Sequence, residues 1–87
     1  MFVILVYDVN QKRVGKVLKL AREYLHWVQN SVLEGELTEA NYRILKDKLN
    51  KRIKATEDSV IFYTFRTLKY SDREIMGIQK GGQRLFL

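Results

Sequence analysis

Trp27-Val28-Gln29-Asn30-Ser31-Val32-Leu33-Glu34-Gly35-Glu36-Leu37 is the stretch on which the fold turns. Its first eight residues alternate imperfectly between apolar and polar and suit a strand. Gly35 marks a bend or bulge near the end. Taken as a single strand, the stretch makes the chain β-α-β-α-β-β, with a weak last strand at Ile75 to Gln79. Taken as one long bent strand or a tight hairpin broken at Gly35, it makes the order β-α-β-β-α-β. That second order gives a four-stranded, mainly antiparallel sheet with both helices on one face. This is the α+β, ferredoxin-like sandwich, and it is the fold expected here.

The flanking segments fit that order. Met1-Phe2-Val3-Ile4-Leu5-Val6-Tyr7-Asp8 carries no charged side chain before its final carboxylate. Phe2 to Tyr7 reads as a strand buried on both faces, with Asp8 where it leaves the core. Asn10 is an N-cap candidate, and Val14, Val17, Leu18, Ala21 and Leu25 recur on one helical face. Lys12, Lys16 and Lys19 occupy the opposite face, with Arg13 and Arg22 on its flanks. Thr38 caps a second helix whose buried stripe is Tyr42, Leu45, Leu49 and Ile53. Glu39 in its first turn suits the helix dipole, as do the cations crowding its C-terminal half. Ser59 to Phe65 is the strand after that helix. Gly81-Gly82 is a turn or break, and Arg84-Leu85-Phe86-Leu87 is an apolar tail suited to adding a strand to a sheet, its own or that of a second copy.

The 87 residues make one domain, with a sandwich core of about 1–66 and residues 74–87 as an addition. A core this small gains from association with a second copy. Sixteen Lys and Arg against ten Asp and Glu leave a net charge of +6. That balance favours polyanions, or serves only solubility. The absence of Cys excludes disulfides and thiolate metal sites. The N-terminal apolar run is too short for a membrane span, and no basic segment precedes it. A soluble, cytoplasmic protein with no membrane partner is the expectation.

Few residues offer chemistry. His26 stands alone before a strand and reads as a boundary residue. Ser31 has no evident triad partners, and no phosphate-binding glycine loop or His/Cys metal spacing is present. Acids remain. Magnesium accepts one or two carboxylates and keeps several waters. Asp8 is a thin site in one chain and a better one when two copies face each other across a two-fold axis. Such a metal would acidify a water for attack on a phosphodiester. The competing reading has Asp8 cap a helix or brace a turn. Arg13 would contact a phosphate at the same edge, or be a solvated helix residue. Lys12, Lys16 and Lys19 share that choice between backbone contact and plain solvation. Tyr7, Tyr63 and Phe65 read as core or interface, not as base-stacking platforms.

In order and spacing, Val6-Tyr7-Asp8-Val9, Lys12-Arg13, Lys16-Val17, Val28-Gln29-Asn30-Ser31-Val32-Leu33-Glu34 and Glu57-Asp58-Ser59-Val60-Ile61-Phe62-Tyr63 resemble one family. It is the CRISPR-associated Cas-two family, the smaller of the two core spacer-acquisition proteins. The resemblance implies a two-fold homodimer whose C-terminal segment joins the partner's sheet. It implies a magnesium-dependent endonuclease acting on single-stranded RNA or double-stranded DNA, with Asp8 as catalytic metal ligand. It also implies a bridge to the larger integrase partner, with basic surfaces holding the nucleic acid. Under a second reading the dimer is a non-catalytic DNA-binding scaffold of the integration complex. Two positions depart from the family pattern: Leu25 follows Tyr24 where Gly is usual, and Leu33 stands where Phe is usual. VapD-like toxin ribonucleases share the fold, so genomic context is not legible in the chain.

Overall fold

Alternate residues of the first strand part company. Val3, Leu5 and Tyr7 are buried, while Phe2, Ile4 and Val6 are only half-covered and Asp8 is exposed. The cause is visible in the computed structural model, which describes residues 1–66 and Met76: two helices cover one face of the sheet, and no described residue covers the other. The expectation of a strand buried on both faces therefore holds for one face of a single chain.

The elements are β1 (Phe2–Asp8), α1 (Gln11–Arg22), β2 (His26–Gln29), β3 (Val32–Glu36), α2 (Glu39–Asn50) and β4 (Ser59–Phe65). The sheet order is β2-β3-β1-β4, with every neighbouring pair antiparallel. This is the ferredoxin-like sandwich. Val3, Leu5, Tyr7 and Leu33 from the sheet meet Val17, Leu20 and Ala21 of α1 and Leu45 and Leu49 of α2. Each such valine or leucine side chain contributes about 1.5–3 kcal/mol by leaving water. Tyr42 of α2 meets Phe62 of β4 edge-on, with centroids 5.3 Å apart. Among the described residues no buried side-chain polar atom lacks a partner, and no helix is long and apolar enough to cross a membrane.

The helix caps lie where the sequence placed them. The Asn10 side chain accepts from the Lys12 amide at 2.9 Å, and Thr38 Oγ1 accepts from the Asn41 amide at 3.1 Å. Both helices are shorter than their apolar stripes. Leu25 and Ile53 lie beyond the last helical residues yet still pack on the core, held by amide bonds from Leu25 to Ala21 and from Ile53 to Leu49. Leu25 takes the turn without a left-handed backbone, so the glycine that the resemblance implies at this position is not required.

The hairpin exists, but its break is at Asn30-Ser31 and not at Gly35. Asn30 has φ 42°, a left-handed conformation that asparagine tolerates and tight hairpin connections use. Its carbonyl accepts from Trp27 Nε1 at 2.8 Å and from the Tyr7 hydroxyl at 3.3 Å. Gly35 instead sits inside β3 opposite Val3. A Cβ there would lie 3.3 Å from Leu25 Cδ2, so the glycine permits close approach of the α1–β2 turn. The irregularity in pairing falls in β2, between Trp27 and Gln29. Of the expected Ile75 to Gln79 strand only Met76, which is exposed, is among the described residues, and the Arg84 to Leu87 tail lies outside them.

Candidate functional site

The open face of the sheet is built by strand alternation. Register places Phe2 beside Phe65, Ile4 beside Tyr63, Val6 beside Ile61 and Asp8 beside Ser59. Ile61 is 46% exposed, Tyr63 52% and Phe65 37%. The result is an apolar stripe two strands wide that ends at one rim in the Asp8 carboxylate. A contiguous patch of this kind on a small domain marks an interaction surface. Of the three aromatics named from the sequence, Tyr7 is core and Tyr63 and Phe65 belong to this stripe. Burial pushes the Tyr7 phenol pKa upward.

Asp8 itself is exposed, and among the described residues its carboxylate forms no hydrogen bond or ion pair. Helix capping falls to Asn10, so Asp8 does not serve that purpose. Its strand position is nonetheless rigid, because β1 is a central strand paired on both sides. No group of three or more His, Asp or Glu that could hold a metal occurs among the described residues. The donor chemistry fits magnesium as half a site: one hard carboxylate, wet and unpaired, for an ion that takes one or two carboxylates and water.

Next to the Asp8 partner Ser59 sits a second acid with the opposite surroundings. The Asp58 side chain is fully buried. Arg13 Nε donates to its Oδ2 at 2.6 Å and Arg13 Nη2 to its Oδ1 at 3.0 Å, a bidentate pair. The Asn10 amide donates to Oδ1 at 2.9 Å and the Lys54 amide to Oδ2 at 2.7 Å. Arg13 Nη2 also donates to Glu57 Oε1 at 2.9 Å. One carboxylate thus ties together the β1–α1 loop, the first turn of α1 and the α2–β4 loop. Arg13, with the two backbone amides behind it, holds the Asp58 pKa well below the usual carboxylate range. Arg13 and then Lys54 lower that of Glu57, and the Arg13 pKa is raised in turn by Asp58 and Glu57.

The structure therefore separates residues that the sequence grouped. The Arg13 guanidinium is engaged by two acids at the Asp8 rim. Lys12, Lys16 and Lys19 are exposed on α1, with no acid partner among the described residues. Arg22 lies over the Trp27 ring at 5.5 Å. His26 opens β2 and is exposed, as a boundary residue should be. The role of Glu57-Asp58 went unseen in the sequence. The only signal available was an acidic pair just before a strand, with no indication that Arg13 would meet it.

Residues 1–73 match the profile of the family described as CRISPR associated protein Cas2. The chain is 58% identical to the CRISPR-associated endoribonuclease Cas2 of Dictyoglomus turgidum, over the full length of both. It is 54% identical to the protein of the same description from Thermotoga maritima, over 93% of each chain. A solved structure described as the crystal structure of Cas2 is similar with a TM-score of 0.84 and 42% identity, covering 100% of this chain and 98% of the other.

Proposed function

The chain belongs to the CRISPR-associated Cas2 family, and we propose that it works there as a homodimeric, metal-dependent endonuclease whose catalytic group is Asp8. The observation that carries this reading is the unpaired, exposed Asp8 carboxylate on a rigid central strand, at the end of an otherwise apolar sheet face. Packing that face on a second copy about a two-fold axis would cover Ile4, Val6, Ile61 and Tyr63. The same operation would bring the two Asp8 rims together, making two half-sites into one.

Asp8 from each copy would hold the magnesium ion, which when bound supplies an acidified water and neutralises charge on the phosphodiester. The chain's own residues do the rest. β1 fixes the direction of the Asp8 carboxylate through its pairing with β3 and β4. The Asp58–Arg13 pair anchors the loop that follows Asp8. Lys12 lies on the turn of α1 nearest that loop and attracts the substrate backbone, with Lys16 and Lys19 extending the field. The relatives are named endoribonucleases, so single-stranded RNA is the first substrate to test, with duplex DNA beside it.

The basic helix layer supports a second reading, in which the dimer is a DNA-binding bridge to the larger CRISPR integrase in the cytoplasm and Asp8 does not cut. The two are told apart by running wild type and Asp8→Asn on labelled single-stranded RNA and duplex DNA, with magnesium or chelator. Metal-dependent cutting abolished by Asp8→Asn establishes the nuclease. Equal background in both proteins, with duplex binding retained, selects the bridge.

A further inference from the structure

The rim that carries Asp8 holds a second polar side chain that the fold leaves unused. Ser59 opens β4 and pairs directly with Asp8 of β1. Strand alternation turns Val60 and Phe62 toward the helices, where both pack on the core. Ser59 therefore shares the open face with Ile61 and Tyr63, and with Asp8 across the strand. Directly opposed residues of an antiparallel pair hold their Cβ atoms about 4.5–5.5 Å apart, close enough for both side chains to touch one small group. Ser59 is exposed, and among the described residues its hydroxyl bonds neither Asp8 nor any other side chain. Its backbone is nonetheless fixed from both directions. Asp58 before it receives four N–H groups, and Val60 after it pairs with Tyr7.

Resting on the nuclease reading, we infer that the Ser59 hydroxyl donates a hydrogen bond to a non-bridging phosphate oxygen of the strand held at Asp8. Ser59 is then a second residue of the site that touches substrate. The need for it comes from charge. A phosphodiester brought to Asp8 meets a carboxylate of its own sign, so a donor beside that carboxylate is required to hold the phosphate in place. Arg13 is poorly suited to the task. Its Nε is engaged by Asp58 and its Nη2 by both Asp58 and Glu57, so two acids already balance its charge. A lysine at position 59 would bring charge, but it would pair with Asp8 and occupy the lone pairs that Asp8 keeps free. A serine hydroxyl is neutral and offers a single O–H donor, which leaves the carboxylate open. A hydrogen bond from a hydroxyl to an anionic oxygen is short and about twice as strong as a neutral one. Both side chains stand on paired strands, so their relative placement is set before substrate arrives.

The test is cleavage of single-stranded RNA by the full chain with magnesium, comparing wild type, Asp8→Asn, Ser59→Ala and Ser59→Thr. Ser59 is exposed and its hydroxyl unbonded, so both Ser59 variants should melt as wild type does, which confirms folding. Ser59→Ala should lose about tenfold or more in kcat/KM, the effect of deleting one hydrogen bond to a charged group. Ser59→Thr keeps the hydroxyl and should stay within about threefold of wild type. A phosphorothioate placed at the linkage that wild type cuts, resolved into its two diastereomers, separates a phosphate contact from a general disturbance. Sulfur is a poor hydrogen-bond acceptor, so one diastereomer already lacks the bond that Ser59 makes. On that diastereomer Ser59→Ala and wild type should cut at similar rates, while on the other the loss should persist. Equal kcat/KM in Ser59→Ala and wild type, or a loss of the same size on both diastereomers, overturns the inference and leaves the role of Asp8 standing. Absence of Asp8-dependent cutting by wild type overturns the nuclease reading, and the Ser59 contact with it.

Discussion

Asp8 and Asp58 lie fifty residues apart in sequence and meet at one rim of the sheet, where Asp8 pairs with the residue after Asp58. Their surroundings are opposite. The Asp58 side chain is shielded from solvent and receives four N–H groups, from Asn10, Lys54 and twice from Arg13. Asp8 is exposed and receives none at its carboxylate. The contrast teaches how one residue type divides its work. A carboxylate saturated with donors has no lone pair left for a metal or substrate, and it organises the chain around it. A carboxylate held rigid but unsatisfied remains available for chemistry.

The sharpest way to break the comparison is to remove each charge separately. Asp8→Asn should lower the cleavage rate at least about 100-fold, since even groups that merely support a metal ligand are worth 10–100-fold. Its melting temperature should match wild type. Full activity in this variant would take the catalytic role from Asp8. Under the proposed function the site also needs the second copy. Ile61→Glu/Tyr63→Glu should weaken dimerisation at least about 100-fold by placing charges on the apolar stripe, read by sedimentation, and cutting should fall with it. A dimer of wild-type affinity would mean that the stripe is not the interface.

Asp58→Asn should behave in the opposite sense to Asp8→Asn. Its amide nitrogen would face donors from Arg13 or the backbone, and the melting temperature should drop on the order of 10 °C. An unchanged melting curve would show that the buried pair does not hold the loops. The same residue predicts a pH effect. A carboxylate whose native pKa is depressed stabilises the fold above its usual value of 3.8, and that contribution fades as pH falls below it toward the lowered native value. Wild type should therefore lose stability on acidification through that window, and Asp58→Asn should show a flatter curve. Parallel curves would contradict the linkage. The smallest effect is expected for Lys54→Ala. It deletes only the exposed 3.2 Å pair with Glu57, because the bond from residue 54 to Asp58 comes from its backbone. The melting temperature should move by no more than about 2 °C; a large drop would place the anchor in the Lys54 side chain.

Much of this was legible in the chain. The two caps at Asn10 and Thr38 are local chemistry, and their side chains bond amides two and three residues away. That β1 and β4 are strands follows from β-branched and aromatic residues with no knowledge of partners, whereas the alternation of buried and open positions along β1 does not. The hairpin was legible in outline but not in position. Glycine is the stronger turn former, yet Gly35 is needed where the Leu25 turn crosses β3, and Asn30 accepts the left-handed turn instead. Asp8 could be singled out because it ends a charge-free run. The fate of Arg13 could not, because its partners lie more than forty positions further along.

The sequence by itself determined the element order, the helix caps, the apolar face of each helix, the excess of positive charge and the family resemblance, because each depends on near neighbours or on composition. Only the tertiary structure decided which acid is spent on the fold and which is left free. It likewise decided that Ser59 stands beside Asp8 while Arg13 is engaged by Asp58 and Glu57. Those outcomes depend on contacts between residues distant along the chain, and such contacts form only when the sheet order β2-β3-β1-β4 brings the loops and helices together.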